Sequence, residues 1–218
     1  ARVMERNQGP LPKEEVARIF REIMSGCLAL ERPLAVGYLG PMVTFTETAA
    51  LKPFGHAVDT RPLTTISDVF RDVDAGNLDY GVVPIENSTE GMVTHTLECF
   101  LDSPLVICGE VEMRIHQALM VKQGTDLSAV KTIFSHQQSL AQCRLWLDAN
   151  CPNATRETVS SNAEAARLVS ESSPNDGIAA VAGERAAETY GLALLAGSIE
   201  DRPDNTTRFL VIGKQTTE

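Results

Sequence analysis

The sequence predicts an α/β protein built as two lobes with a cleft between them. Two observations carry this. Short apolar runs alternate with helical patterns along most of the 218 residues, the pattern of parallel strands covered by helices. In addition, four junctions between a strand and the next helix are rich in Ser, Thr, Asn or Gln, two in each half of the chain. Open α/β sheets bind ligands just beyond the carboxyl ends of their strands. Two pairs of such junctions facing each other would aim helix N-terminal N–H groups and positive dipole ends at one small anion.

The elements follow in order. Residues 1–33 stand apart. Pro12-Lys13-Glu14-Glu15 has the proline and acids of a helix start. Val16, Ile19, Phe20, Ile23, Met24, Cys27, Leu28 and Leu30 then recur at helical spacing until Pro33. One amphipathic helix without partner helices must lay its stripe on the main domain or on another subunit. The chain opens without methionine, and we expect it to be a piece of a longer protein. Ala35 to Leu39 reads as a strand, with a polar turn leading into a helix through Lys52. A helix over Thr65 to Ala75 precedes a strand at Tyr80 to Val83. Leu105 to Val111, Gln117 to Val121 and Val130 to Phe134 read as strands. A helix over Leu140 to Asn150 carries Trp146 at core spacing with Leu140, Cys143 and Leu147. A short strand at Glu157 to Val159 leads to a helix from Ser160-Ser161 to Ser170, with capping-box spacing to Glu164. The strand Ile178 to Val181, the helix Gly183 to Tyr190 and the strand Arg208 to Ile212 complete the series.

Composition excludes several classes. A hydrophobic fraction of 43% and a charged fraction of 22% are ordinary for a globular protein. No apolar run is long enough to span a bilayer, and no signal peptide is visible, so no membrane partner is expected. The net charge of −10 argues against nucleic acid. An anionic ligand would then need local positive potential, from a few Arg or Lys residues and from helix N-termini. Five scattered cysteines without a CxxC pair point to reduced thiols and a cytoplasmic protein. The four histidines are far apart and form no HExxH, so no metal site is expected. P-loop, GxSxG and GxGxxG patterns are absent from the sequence, which favours cofactor-free chemistry or plain binding.

Two segments concentrate chemistry. In the stretch from Gly81 to Gly91, a buried strand runs into Pro84 and is followed by Glu86, Asn87, Ser88, Thr89 and Glu90. These donors suit an oxygen-rich anion; a strand, a turn and an N-capped helix would use the same residues. Before the last strand, Thr207 sets a hydroxyl beside the permanent cation of Arg208. A placed hydroxyl can donate a proton to a demanding leaving group, and Arg is the side chain best shaped to grip a carboxylate.

With these residues assembled, the chain resembles the prephenate dehydratase domain over Leu34 to Lys214. Gly37-Tyr38-Leu39-Gly40-Pro41 with Thr44-Phe45, Val83 to Ser88 with Gly91, Thr207-Arg208-Phe209, and Ser135-His136 with Gln138 and Gln142-Cys143 carry the resemblance. Residues 1–33 resemble the last helix of a chorismate mutase domain, with Glu31 at a substrate-contacting position. The resemblance implies two lobes of the type II periplasmic-binding-protein kind, lobe 1 at 34–112 and lobe 2 at 113–218 with a hinge-crossing terminal strand. It implies a homodimer, no metal or organic cofactor, and conversion of prephenate to phenylpyruvate in phenylalanine biosynthesis. Thr207 is then the proton donor. Asn87 and Gln142 hold the substrate, and Thr44, Ser88, Arg208 and Ser161 line or organise the site. The regulatory ACT domain of the family is not in this sequence. Val43 stands where the family has glycine, a residue that permits positive φ or close backbone approach. Two alternatives use the same residues: a non-catalytic module that binds a small dicarboxylate, and arogenate as the substrate.

Overall fold

The computed structural model describes residues 2–214; residue 1 and residues 215–218, the outer ends of the expected 1–33 and 113–218 segments, lie outside it. The described elements are α1 (Arg2–Arg6), α2 (Lys13–Glu31), β1 (Ala35–Leu39), α3 (Phe45–Phe54), β2 (Asp59–Leu63), α4 (Ile66–Asp74), β3 (Tyr80–Asn87), β4 (Gly91–Met92), α5 (Thr94–Leu101), β5 (Val106–Arg114), β6 (Ala118–Val121), β7 (Thr132–Ser135), α6 (Gln137–Gln142), α7 (Arg144–Asn150), β8 (Thr155–Thr158), α8 (Asn162–Ser170), β9 (Ile178–Ala182), α9 (Glu184–Tyr190), β10 (Ala193–Ala196) and β11 (Thr206–Gly213).

The strands form two sheets, ordered β2-β1-β3-β11-β5 and β10-β6-β9-β7-β8. Each lobe is a sheet with a core on both faces. Fully buried side chains such as Val36, Val82, Val83 and Ile212 in the first sheet and Leu119, Ile133 and Val181 in the second each contribute about 1.5–3 kcal/mol of apolar burial. The expected parallel sheets are in fact mixed. β1 runs parallel to β2 and β3, and β7 to β8 and β9. β11 is antiparallel to both β3 and β5, and β6 to β9 and β10. The reason lies in the chain path. β11 arrives from the second lobe, enters the first sheet at its cleft end, and therefore runs against β3, which ends there. Residues 206–213 thus pair within the first sheet, not the second.

Local chemistry explains where helices begin. Thr65 and Asp68 form a reciprocal capping box at the start of α4, and Ile66, Val69, Phe70 and Val73 face the sheet at helical spacing. The single helix expected at Leu140–Asn150 is two. It starts earlier, at Gln137, and breaks at Cys143. There the Asp201 carboxylate accepts from the backbone N–H groups of Leu145 and Trp146 at 3.0–3.2 Å, capping α7 from outside. The strand after Tyr80 does not lead directly into a helix. It runs through Pro84 to Asn87 and turns into β4 as a hairpin. Pro84 is tolerated because β1 pairs only as far as Val82 and because β11 bulges between Arg208 and Phe209 opposite it.

Beside the lobes, α2 lies across α3, with Glu22 Oε1 2.9 Å from His56 Nδ1. Most of its apolar stripe stays exposed, including Phe20, Ile23, Met24 and Leu28, so it covers the main domain only in part. No helix of the described residues is long and apolar enough to cross a membrane.

The cysteines separate by environment. Cys27 and Cys108 are exposed, whereas Cys143 and Cys151 are buried. Burial, and then the charges of Asp201 and Glu200, push the Cys143 thiol up to about 12. We expect a thiol reagent at pH 8 to label Cys27 and Cys108 in the native protein and to reach Cys143 only on unfolding. Peptide mass spectrometry reads the pattern, and native labelling at Cys143 would contradict this packing.

Candidate active site

A cavity of about 420 Å³ lies between the lobes. Thr44, Asn87, Gln142, Ser161 and Thr207 all line it, so five of the seven expected site residues come together from five segments of chain. The register of β3 and β11 sets Thr207 directly opposite Asn87. Asn87 Nδ2 donates to Thr207 Oγ1 at 2.8 Å across 120 residues of sequence. Asn87 Oδ1 in turn accepts from the backbone N–H groups of Thr89 and Glu90 at 2.9 and 3.3 Å. These two bonds fix which way the amide points. Thr207 Oγ1 therefore receives a hydrogen bond from Asn87, and its own proton is directed elsewhere. Thr207 is only 8% exposed and lines the cavity.

Gln142 ends α6, at the break that Asp201 imposes. Its Oε1 accepts from Asn205 Nδ2 at 3.2 Å, and Asn205 Oδ1 accepts from Thr89 Oγ1 at 3.1 Å. Asn205, 3% exposed, thereby bridges the two walls and leaves Gln142 Nε2 as a donor. Ser161 caps α8, its Oγ accepting from Glu164 N at 3.1 Å, which frees its O–H. Thr44 Oγ1 donates to the Pro41 carbonyl at 3.0 Å and so lends an acceptor lone pair and a hydroxyl dipole to the rim.

Two expected residues sit elsewhere. Arg208 is on the opposite face of β11 from Thr207, because side chains alternate along a strand. Its guanidinium is held by Glu86 and Glu110, both at 2.7 Å, and this pairing holds the Glu110 carboxyl below its usual range. Arg208 staples β3, β11 and β5 and does not reach the cavity. Ser88 Oγ accepts from Thr206 N at 2.9 Å, so it fastens the hairpin to β11 and does not line the cleft. The expected cationic side chains are also missing from the wall: among the described residues no Lys or Arg lines this cavity. Neutral donors and the N-termini of α3 and α8 supply the positive potential.

The turn at residues 40–44 departs from expectation in an informative way. Val43 has φ 66°, the left-handed region that glycine occupies without cost. Its N–H donates to Glu47 Oε2, so this N–H is not available to a ligand. Val43 is buried and packs into the core of the second lobe against Ala163, Ala182 and Ala186. Phe45 packs on Gly183, where a Cβ would come within 2.9 Å of the ring. Arg185 Nη2 lies 3.4 Å from Glu47 Oε1. These three contacts join the lobes at one end of the cleft.

Fold and site together define a two-lobed α/β protein whose cleft is lined largely by neutral, pre-oriented polar groups. The chain belongs to the prephenate dehydratase family: the family profile of that name matches residues 36–217. It is 59% identical over 213 residues to a bifunctional chorismate mutase/prephenate dehydratase of Stutzerimonas stutzeri, covering 98% of this chain and 58% of that protein. It is 35% identical over 182 residues to the prephenate dehydratase of Bacillus subtilis, covering 82% of this chain and 64% of that protein. The chain thus spans less than two thirds of the length of these relatives. A crystal structure of prephenate dehydratase from Arthrobacter aurescens in complex with L-Phe superimposes with a TM-score of 0.76 at 36% identity, over 84% of this chain and 61% of that one.

Sequence reasoning missed Gln117, Asn205 and Glu47 as parts of the site. Gln117 carried a signal, a polar residue opening the apolar run Gln117 to Val121. Asn205 carried none, because its partners are distant in sequence; Glu47 has one near partner, Val43 N four residues before it, and one distant, Arg185.

Two outcomes follow from this geometry. Glycine is about 1 kcal/mol easier than alanine at positive φ, and harder elsewhere. Val43→Gly should therefore be at least as stable as Val43→Ala in urea unfolding, and the reverse order would remove the strain argument. Arg208→Ala should leave kcat/KM within about threefold of the parent, since the side chain faces away from the cleft; a loss of a hundredfold would return Arg208 to the site.

Proposed function

We propose that the chain catalyses the decarboxylating dehydration of prephenate to phenylpyruvate, with Thr207 as proton donor. The hydrogen bond from Asn87 to Thr207 is the observation that carries this reading. In the reaction the bond from the ring to its carboxylate breaks and carbon dioxide leaves. That electron pair moves through the ring, and the hydroxyl on the far side departs with a proton as water. Aromatisation drives the process, and the enzyme's task is to grip two carboxylates and to protonate a poor leaving group.

Thr207 suits the second task. Its oxygen already accepts from Asn87, so its O–H is left to point to the substrate hydroxyl, whose oxygen becomes more basic as the C–O bond breaks and takes the proton. The proton is then recovered from water. Gln142 Nε2 and Ser161 O–H hold the substrate, and Thr44 shapes the rim beside them. Such pre-oriented neutral donors do this without an ionised base. Ser88 and Arg208 organise the strands behind the site. In this reading residues 1–33 are the end of a mutase domain, the enzyme is cytoplasmic, and its working unit is a homodimer. The exposed stripe on α2 supports a further contact there.

The test is turnover of prephenate by the purified chain, followed by the absorbance of phenylpyruvate in alkali, with arogenate run in parallel. Thr207→Ala should lower kcat by about 10²–10⁴-fold with an unchanged melting temperature. Full activity in that variant would remove Thr207 from the chemistry, and prephenate binding without turnover by the parent would favour the non-catalytic module.

A further inference from the structure

Gln117 opens β6 and lies in the floor of the cleft, lining the same cavity as Asn87, Gln142 and Thr207. It is 1% exposed. Its backbone is held on both sides, N–H to Glu200 Oε2 at 2.8 Å and carbonyl from Ile199 N at 2.9 Å. Its amide has one partner, Ser139 Oγ at 3.2 Å from Nε2, and Oε1 has none. A buried amide left half-paired costs about 1–3 kcal/mol, so a fixed side chain in this state points to a missing partner.

The surrounding network says what that partner is. Asn162 Oδ1 accepts from His136 N at 3.1 Å, whereas the single hydrogen of Ser135 Oγ has the Val181 carbonyl at 2.6 Å as its nearer acceptor. The backbone donor fixes the Asn162 amide, so its Nδ2 donates to Ser139 Oγ at 2.8 Å. Ser139 already receives that bond, and its own hydrogen needs an acceptor. Exchanging the oxygen and nitrogen of the Gln117 amide, which are nearly isosteric, provides one. Ser139 then donates to Gln117 Oε1, and Gln117 Nε2, in a residue that lines the cleft, is left as an unpaired donor. The chain of bonds becomes consistent from the His136 N–H through Asn162 and Ser139 to Gln117, and it ends on an N–H.

We infer that Gln117 is a substrate-binding residue whose side-chain amide donates to a carboxylate of the bound substrate. This rests on the dicarboxylate reading of the cleft given above. No Lys or Arg among the described residues lines that cavity, so each buried neutral donor counts for more in holding an anion there. Gln117 reaches from the second lobe, as Ser161 does, whereas Asn87 and Thr207 belong to the first sheet. The substrate is thereby held between a carboxylate grip in one lobe and the proton donor in the other.

The experiment compares Gln117→Glu and Gln117→Met. The first keeps the shape but replaces the donor with a like charge. The second keeps the volume with neither charge nor N–H, and it covers the case in which a buried carboxylate unfolds the lobe. Steady-state turnover of prephenate is measured on each variant. Calorimetric binding of prephenate is measured on each in a Thr207→Ala background, where chemistry is slow. We expect KM and Kd to rise at least tenfold in Gln117→Met and further in Gln117→Glu, with kcat within about threefold and the melting temperature of Gln117→Met close to that of the parent. Kd within twofold of the parent in both variants would overturn the role of Gln117 and leave the proposed function standing. Absence of turnover in a parent that binds prephenate would overturn the proposed function, while the Kd values still decide the role of Gln117. Failure of the parent to bind prephenate would overturn both.

Discussion

The pairing of β11 with β3 is the constraint on which the rest of the structure depends. One strand leaves the second lobe and completes the first sheet between β3 and β5. It ties the lobes together, and its first residues meet the last residues of β3 at the mouth of the cleft. Register then does the chemistry's work. It places Thr207 across from Asn87, and the turn after Asn87 fixes the amide by two backbone bonds. A hydroxyl that accepts from a fixed amide keeps its own proton free to be donated. No strongly perturbed ionisable group is needed for this, and none of the five residues that line the cleft as expected is ionisable.

The same logic of fixed neutral donors extends around the cavity. Asn205 orients Gln142 and ties it to Thr89. Asn162 and Ser139 orient Gln117. Asp201 breaks the helix that would otherwise run through Cys143, and that break sets the position of Gln142. Each amide reaching the cleft is thus held from behind by another polar group. Pre-orientation of this kind lowers the reorganisation cost when charge moves in the transition state. The far end of the cleft is closed differently, by Val43 and Phe45 packed into the second lobe. Val43 carries left-handed backbone strain there while its side chain fills lobe 2's core, so burial offsets strain that a glycine would avoid.

Much of this was legible in the sequence. The strand–helix alternation gave the two lobes, and Thr44, Asn87, Gln142, Ser161 and Thr207 do share one cavity. Of the two roles open to Arg208, lining the site or organising it, the pairs with Glu86 and Glu110 leave only the second. Period-two alternation in a strand sends neighbours to opposite faces, and that rule alone would have placed Arg208 behind the sheet. The parallel-sheet expectation failed because strand direction for β11 depends on a crossover between lobes, which local pattern does not encode. The roles of Gln117 and Asn205 depend on partners 22 and 63 residues away, and the contact of Glu47 with Arg185 spans 138 residues; no spacing rule reaches so far. Val43 was flagged by its departure from the family's glycine, and the positive φ found there gives that flag its physical content.

The central claim is that Asn87 serves Thr207, and a double-mutant cycle on kcat tests it most directly. Asn87→Ala, Thr207→Ala and the pair are compared with the parent on prephenate. If Asn87 acts by orienting the Thr207 hydroxyl, its removal lowers kcat by about tenfold or more alone and by less than about twofold once Thr207 is gone. Equal losses in both backgrounds would show that the two residues act independently and would contradict the account.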